Sequence, residues 1–416
     1  MSVFCQQRMP RLLARCLLVL ALWGAASAQD IVEITMWFGR QDFIPADAFE
    51  TFHAEHPNIR VTWDVIPLEE APTEFIRNFR AGRAPDLWQV GADRVGSLAP
   101  QGLLQDMSEP FARWQEEDPD SYNDMAPVAF GIASYEGVPY GLGLHVGPYW
   151  YVYRKDLFEE AGIPVPQTWD DVLEAGRQLR TADRIGFSLI GSRAHDPMWF
   201  QAKFMAMGGE WVDGIPQLDS EAGIYLLNFH QELMRDNIAH PETLSWNSGE
   251  MRAAFIGGNA AQAPIGDNIF TTINSSLAWD DQWAATVLPP RPGAEDANRQ
   301  MAPSWPYFVS ANTEHPYEAS LVLRYLARAD IVQEVALRYQ PTTVGSVMSD
   351  PEYTEAKPWA SQFAEPFANL VPLPAHPRQP QIYELLLDAM QEALQNPNAD
   401  PAVIAANYQA RLDALR

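Results

Sequence analysis

Residues 31–38, with the sequence IVEITMWF, place alternate side chains on the two faces of a β-strand. Residues 59–65, IRVTWDV, repeat the alternation, and residues 87–90, LWQV, form a short apolar run that is typical of a buried strand. Between these segments, residues 46–55 and 72–81 have the composition and spacing of helices. Strand, helix, strand, helix, strand is the order of an α/β domain, so the sequence predicts a mainly parallel sheet covered by helices.

A second unit of the same kind is predicted from about residue 146. Thr168-Trp169-Asp170-Asp171 begins a helix, because the Thr168 hydroxyl and the Asp171 carboxylate can satisfy free amides of the first turn. Residues 185–190, 260–265 and 284–288 are apolar runs that predict further strands. Apolar residues at helical spacing dominate the rest of the chain, which predicts helices near its end.

The first 28 residues have the features of an export signal. A basic segment with Arg8, Arg11 and Arg15 precedes the apolar residues 16–26. Ala26-Ser27-Ala28 then fits a signal-peptidase site, with cleavage after Ala28. The alternative is a membrane anchor, but the apolar stretch is shorter than the roughly 20 residues that a spanning helix needs. The sequence therefore predicts a removed signal peptide over residues 1–28 and a periplasmic location.

The cysteines and the charge exclude several classes of protein. Cys5 and Cys16 are the two cysteines of the chain and both precede residue 28, so the mature protein is expected to have no disulfide and no cysteine-based metal site. Because Cys16 lies at the start of the apolar run and not at the cleavage point, a lipid anchor is not expected. The net charge of −26 opposes binding to nucleic acid or to an anionic membrane. No cofactor or metal is predicted: residues 141–147 lack nucleotide-loop spacing, and His53-x-x-His56 fits a solvated helix end better than a metal pair.

Several segments carry a more specific signal through their order and spacing. They are Ile34-Thr35-Met36-Trp37, Phe49-Glu50, His56-Pro57-Asn58-Ile59, Ala84-Pro85-Asp86-Leu87, Gly137-Val138-Pro139-Tyr140, Tyr153-Arg154-Lys155-Asp156-Leu157, Thr168-Trp169-Asp170-Asp171 and Phe255-Ile256-Gly257-Gly258. With these segments the chain resembles the extracellular solute-binding proteins that serve sugar ABC importers, the maltose- and trehalose-binding type. The resemblance runs from about residue 31 to the C-terminus.

The resemblance implies an α/β, two-lobed periplasmic-binding-protein fold with a hinge between discontinuous lobes. The N-lobe is expected over residues 30–143 and 290–340, and the C-lobe over residues 144–289 and 341–416. The implied function is capture of a sugar or sugar derivative by hinge closure and delivery to the membrane subunits of an ABC permease, without catalysis. A monomer is expected, because the cleft must open and close freely.

Nine residues are candidate ligand contacts, because a sugar site needs aromatic platforms and fixed polar groups. Ligands of open α/β sheets lie beyond the carboxyl ends of strands, which selects the first four of the nine, and the resemblance implies the other five. The nine are Trp37, Gln41, Asp93 and Asp267 from the strand ends, and His145, Tyr149, Trp305, His376 and Arg378 from the resemblance. Asp93 could instead be a helix N-cap, and Trp305 could be wedged between Pro303 and Pro306.

The chain departs from the family pattern at three places. His376 stands where the trehalose and maltose branch has a sugar-binding Arg, and Arg378 follows two residues later, so either side chain is a candidate. Gly91 stands where related sequences often have Asp, and residues 143–147 lack an acid that is often found there. A sugar is therefore not expected to be recognised in the trehalose manner, and a ligand with an anionic group held by Arg378 or Arg40 remains open.

The sequence is also compatible with two alternative functions. A secreted glycoside hydrolase needs only two suitably spaced carboxylates, and 54 acidic residues cannot exclude such a pair. A binding protein for a non-sugar solute, such as a polyamine or an anionic small molecule, would have the same fold. Turnover separates the hydrolase from a binding protein, and ligand screening separates the solutes.

Overall fold

The computed structural model describes residues 31–192 and 198–416, so the predicted signal peptide lies outside the described residues. The strands in chain order are β1 Val32–Phe38, β2 Ile59–Val65, β3 Leu87–Gln89, β4 Ser134–Tyr135, β5 Val138–Pro139, β6 Gly141–Leu142, β7 Tyr149–Tyr153, β8 Trp211–Val212, β9 Ile215–Pro216, β10 Gln262–Gly266, β11 Ala284–Thr286 and β12 Tyr307–Val309.

The helices fall between and after these strands. They are α1 Glu50–Glu55, α2 Ala71–Arg80, α3 Val95–Leu98, α4 Ser108–Glu117, α5 Pro119–Asn123, α6 Val128–Gly131, α7 Lys155–Ala161, α8 Trp169–Leu179, α9 Met198–Ala206, α10 Glu221–Arg235, α11 Ser248–Ile256, α12 Phe270–Asn274, α13 Pro316–Leu326, α14 Ala329–Arg338, α15 Gly345–Met348, α16 Pro351–Ala356, α17 Ala360–Ala368, α18 Gln379–Gln395 and α19 Pro401–Asp413. Within the described ranges, no helix is both long and apolar enough to cross a membrane.

The first lobe is built on a five-stranded sheet in the order β2-β1-β3-β12-β6. β1 pairs in parallel with β2 and β3, as the alternating strands and helices of residues 31–90 predict. β12, in contrast, runs antiparallel to β3 and β6. The alternation in β1 sets its packing, because Ile34, Met36 and Phe38 are buried while Glu33 and Thr35 face outward. Their side chains join a hydrophobic core with β12 and helices α13 and α14.

The second lobe is built on a smaller sheet in the order β10-β7-β11, and both of its pairings are antiparallel. The prediction that the second unit repeats the mainly parallel first unit is therefore wrong. β7 follows directly on the crossing from the first lobe, and the two later strands run back against it. Packed helices supply most of this lobe's core, with α10 lying against α18 and α19.

Residues 185–190 do not form the strand that their apolar run predicts. Ile185 makes one isolated bridge to Ala260, and the amides of Gly186 and Phe187 both donate to the carbonyl of Ile238. The Gln262 side chain donates to the carbonyl of Gly186. The backbone groups of this segment are thus satisfied by several different neighbours, which leaves no regular ladder to continue.

Local sequence decides two helix starts. The predicted capping box of α8 is confirmed, since the Asp171 amide donates to the Thr168 hydroxyl and the Asp171 carboxylate accepts from the Thr168 amide. The helix predicted over residues 46–55 begins only at Glu50. Ala48 and Phe49 have φ angles of 49° and 66°, and left-handed residues cannot continue a helix.

Three chain segments cross between the lobes side by side. His145 bridges Thr342, Val146 bridges Ser304, and the Gly147 amide donates to the carbonyl of Pro303. Beyond the third crossing, residues 344–353 return to the hydrophobic core of the first lobe before the chain enters the second. The three segments are thus joined by backbone contacts into one crossing. The residues that face the space between the lobes lie on both sides of this crossing.

Candidate ligand-binding cleft

A cleft of about 730 Å³ opens between the two lobes, a size that fits a small-molecule ligand. The first lobe supplies the turns after β1, β3 and α14, and the second lobe supplies β7, β10, α9, α11 and α18. The lining residues with aromatic or polar side chains are Arg40, Glu69, Asp93, Arg94, Tyr149, Trp199, Ser248, Arg252, Asn268, Ser304, Trp305, Tyr339, Gln340, Tyr383 and Glu384.

The first-lobe wall carries charges that are paired within that wall. Asp93 follows β3, and its carboxylate lies 3.2 Å from the Arg94 guanidinium. Burial raises the pKa of Asp93, while Arg94 opposes that rise. Arg40 follows β1 and lies 2.8 Å from Asp42. Asp93 does not cap a helix through its side chain, which leaves this predicted contact facing the cleft.

Gly91 allows Asp93 to adopt this position. A Cβ atom at residue 91 would lie 2.2 Å from Oδ1 of Asp93, so any larger side chain there would push the carboxylate away. The glycine at residue 91 therefore leaves space for the carboxylate two residues later.

Aromatic rings form the apolar part of the cleft. Trp305 is half-buried and lines the space as predicted, with its carbonyl held by the Gln89 side chain at 3.1 Å. Tyr149 also lines the space, and its ring stacks on that of Trp199 with centroids 4.1 Å apart. Trp199 was not predicted from the sequence. The Trp305 and Tyr149 rings are half-buried, whereas Trp199 is buried behind Tyr149. Flat aromatic rings that line a cleft can pack against the C–H face of a sugar.

Asp267 and His145 lie behind the cleft surface. The indole of Trp150 donates to Oδ2 of Asp267 at 3.3 Å, while Oδ1 has no hydrogen-bond partner among the described residues. A Cβ atom at Gly147 would lie 3.9 Å from that Oδ1, which places it just beneath the lining. Burial raises the pKa of Asp267 well above its usual range. The His145 ring packs against Phe43, and burial lowers its pKa to about 3, so this imidazole is neutral.

The four remaining predicted contacts do not line the cleft. Trp37 packs on the hydrophobic cluster around Phe75 and Trp88, and Gln41 is exposed in the turn after β1. His376 is buried, and its Nδ1 accepts from the Arg378 amide at 3.0 Å, while the Arg378 side chain is exposed at the start of α18. Of the nine predicted contacts, three therefore line the cleft, two lie behind its surface and four lie elsewhere.

Among the lining residues that the sequence rules missed, three groups come from helices or helix ends. One face of α18 contributes Pro380, Tyr383, Glu384 and Leu387, whose spacing is that of a single helical face. Tyr339 caps α14, and Arg252 lies on α11. These residues come from helices, whereas the predictions concentrated on the ends of strands.

Among residues 31–192 and 198–416, no group of three or more His, Cys, Asp or Glu side chains could hold a metal ion. In the His53-x-x-His56 motif, Nε2 of His53 accepts a hydrogen bond from the Val61 amide at 3.0 Å.

Residues 39–333 match the sequence profile of a family described as bacterial extracellular solute-binding protein. A putative binding protein of Brucella abortus is 22% identical over 324 residues, which is 75% of this chain and 76% of that protein. A probable amino-acid ABC transporter periplasmic-binding protein of Sinorhizobium fredii is 24% identical over 222 residues, and the match spans about half of its length, 48%. An arabinooligosaccharide-binding protein of Halalkalibacterium halodurans is 25% identical over 45% of this chain and 42% of its own.

Solved structures share the fold over nearly the whole chain. The GacH receptor of Streptomyces glaucescens, solved unliganded and with acarbose, has a TM-score of 0.75 at 21% identity, covering 92% of this chain and 98% of its own. An ABC transporter solute-binding protein of Agrobacterium radiobacter in complex with ribitol has a TM-score of 0.74 at 20% identity, covering 93% and 100%. The predicted two-lobed fold is thereby confirmed.

Proposed function

The chain belongs to the bacterial extracellular solute-binding proteins, and we propose on this premise that it captures a sugar or sugar derivative for an ABC importer. The observation that carries the proposal is the make-up of the cleft. Stackable rings of Trp305, Tyr149 and Trp199 share one space with charged and amide groups from both lobes. A sugar offers apolar faces to the rings and hydroxyl groups to the polar side chains.

Relatives and structural neighbours support the sugar class. Their names or titles mention arabinooligosaccharide, mannitol, acarbose and ribitol, all of which are sugars, polyols or close analogues. One relative is named as a probable amino-acid transporter component, so an amino acid is the second candidate solute. A polyamine is not favoured, because the three arginines that line the cleft are matched by three acids, Glu69, Asp93 and Glu384, so the lining has no net negative charge that would attract it.

The proposed mechanism is closure of the lobes around the solute. Polar groups that line the cleft from both sides can bind the same ligand only when the lobes approach, so the ligand favours the closed form. The crossing around Gly147 is the proposed hinge. The predicted division of the chain between the lobes belongs to this proposal, except that residues 344–353, predicted in the C-lobe, pack in the core of the first lobe. The closed form would then dock on the permease from the periplasm. In this role the protein holds its ligand without altering it and works as a monomer.

A thermal-shift screen of the purified protein tests the proposal. The panel contains mono- and disaccharides, polyols, sugar acids, amino acids and polyamines. Each bound ligand is recovered, and its mass is measured by mass spectrometry to show whether it is intact. A ligand at a thousand times its Kd stabilises the native state by about 4 kcal/mol. We expect a higher melting temperature with a sugar or sugar derivative that is recovered intact. Stabilisation only by amino acids would show that the solute is an amino acid and not a sugar. Cleavage of the sugar would indicate a glycoside hydrolase.

A further inference from the structure

The guanidinium group of Arg252 lines the cleft and differs from four other half-buried arginines of this protein. Arg154, Arg177, Arg291 and Arg324 each lie within 3.0 Å of a carboxylate oxygen. Among the described residues, Arg252 has no carboxylate within 4.0 Å. Its hydrogen bonds go to the backbone oxygen of Ser248 at 2.7 Å and to the Ser248 hydroxyl at 3.0 Å, both one turn earlier on α11. Arg184 also has no carboxylate partner among the described residues, but it lies outside the cleft lining and donates to the carbonyl of Leu179 at 3.0 Å.

The lack of an acid partner is notable in this chain, which has 54 acidic residues and 28 basic ones. Acidic residues thus outnumber basic ones almost two to one, and Arg252 still has no carboxylate partner among the described residues. The group is also partly removed from water, since burial lowers the pKa of Arg252 and no carboxylate opposes that change. A guanidinium stays charged at any physiological pH, so it cannot relieve the cost of burial by losing its proton.

A second guanidinium, that of Arg40, lines the cleft from the first lobe. Arg40 lies 2.8 Å from Asp42, and its guanidinium lies 4.7 Å from the centre of the Tyr339 ring. The Asn268 amide of the second lobe donates to the Tyr339 hydroxyl at 3.4 Å across the cleft. Arg40 and Arg252 thus line one cleft from opposite lobes.

We propose that the ligand carries an anionic group, which Arg252 receives in the cleft. The inference rests on the proposed function, and under it the ligand is a sugar acid, with a carboxylate beside the ring that stacks on the aromatic wall. A planar guanidinium matches a carboxylate with two parallel hydrogen bonds. Because Arg40 and Arg252 belong to different lobes, a carboxylate between them would stabilise the closed form.

Calorimetric titration with matched pairs of ligands tests the inference. The pairs are D-glucose with D-glucuronate, D-galactose with D-galacturonate, and the galactose disaccharide with digalacturonate. We expect at least one acid to bind roughly 30-fold more tightly than its neutral partner, because a desolvated charge pair contributes strongly to affinity. Arg252→Gln should remove most of that preference, and Arg252→Lys should restore part of it.

The matched control is Arg291→Gln, since Arg291 is also half-buried but is paired with Glu221 away from the cleft. This variant should keep the affinity for the acid within about threefold, because pairs outside the site contribute to stability rather than to binding. Melting temperatures of both variants without ligand separate a loss of binding from a loss of folding.

The outcomes distinguish this inference from the proposed function. If a neutral sugar binds as tightly as its acid, or if Arg252→Gln leaves the acid preference unchanged, the inference is wrong while the sugar-binding proposal stands. If no sugar or sugar acid binds but an amino acid does so through Arg252, the anionic group is supported and the sugar class is wrong.

Discussion

Arg252 and Lys203 are basic side chains of the second lobe that have no acid partner among the described residues, and they lie in opposite surroundings. Arg252 faces the cleft, whereas Lys203 is sealed in the core between α9 and α10 with 2% of its surface exposed. The Lys203 ammonium lies 2.7 Å from Nε2 of His230, and Nδ1 of His230 lies 2.7 Å from the carbonyl of Leu226. Since a carbonyl only accepts, Nδ1 donates and Nε2 accepts from Lys203.

The difference lies in how each group can avoid an uncompensated charge. Burial lowers the pKa of Lys203 to about 7, so the ammonium can lose its proton near neutral pH. A guanidinium cannot do this, so Arg252 needs solvent or an anion of the ligand. An unpaired base therefore indicates a ligand only when it keeps its charge and faces a cavity. In a closed core the same feature predicts a pH-dependent loss of stability.

The largest expected effect is a gain in stability from Lys203→Met. The substitution removes a charge that burial disfavours by several pKa units, and the loss of the hydrogen bond to His230 offsets part of the gain. We expect an increase in the free energy of unfolding of about 3 kcal/mol at pH 7. Urea denaturation measures this change. Lys155→Met, at an exposed ion pair with Asp280, is the control and should change stability little. A variant less stable than the wild type would show that Lys203 is not a destabilising charge.

The same lysine should make stability rise with pH. Its folded pKa of about 7 lies below the unfolded value of 10.5, so between these values the unfolded chain binds more protons. The contribution of Lys203 to stability is least favourable below pH 7 and becomes more favourable between pH 7 and 10.5, by up to about 1.4 kcal/mol per pH unit. The slope should be reduced in Lys203→Met. A slope that is the same in both proteins would assign the effect to other groups.

A third test compares two half-buried tryptophans. Trp305 lines the cleft, whereas Trp37 packs on a hydrophobic cluster of the first lobe. Trp305→Ala should weaken sugar binding roughly 30-fold, as expected for an aromatic anchor in a binding site. Trp37→Ala should lower the melting temperature but leave the affinity nearly unchanged. Equal losses of affinity in the two variants would contradict the assignment of the lining.

The smallest expected effect is that of salt. Added chloride screens a charge that solvent can reach, so raising NaCl from 0.05 to 0.5 M should weaken binding of a sugar acid about threefold. Binding to Arg252→Gln should depend less on salt. The stability difference between Lys203→Met and wild type should not change, because salt does not enter the closed core. An affinity for the acid that is independent of salt in both proteins would place its anionic group away from Arg252.

The sequence predicted those parts of the fold in which a local pattern is decisive. Alternation places Ile34, Met36 and Phe38 inward, and Thr168 with Asp171 begins α8. The antiparallel direction of the second sheet was not predictable in this way. The direction depends on the path of the chain between the lobes, and the residue pattern of the strands does not reveal that path.

The site was predictable to a smaller extent, for the same reason. Asp93, Tyr149 and Trp305 were found through strand ends and through the resemblance, and all three line the cleft. Arg252 and Tyr383 lie on helices, and which face of a helix meets the cleft is settled only by packing between elements. The spacing of Tyr383 and Leu387 predicts one helical face, but the neighbouring buried Ile382 and Leu386 fit a core face equally well.

The central claim is that a solute binds between the lobes and closes them, and a distance across the cleft tests it most directly. With residues 1–28 removed the chain has no cysteine, so Asp120→Cys on the first lobe and Glu174→Cys on the second can each carry a spin label. Both positions are exposed. At saturation with the most stabilising sugar or sugar acid, we predict a shorter distance between the labels, with a midpoint equal to the calorimetric Kd. A distance that stays unchanged at saturation would contradict capture by closure.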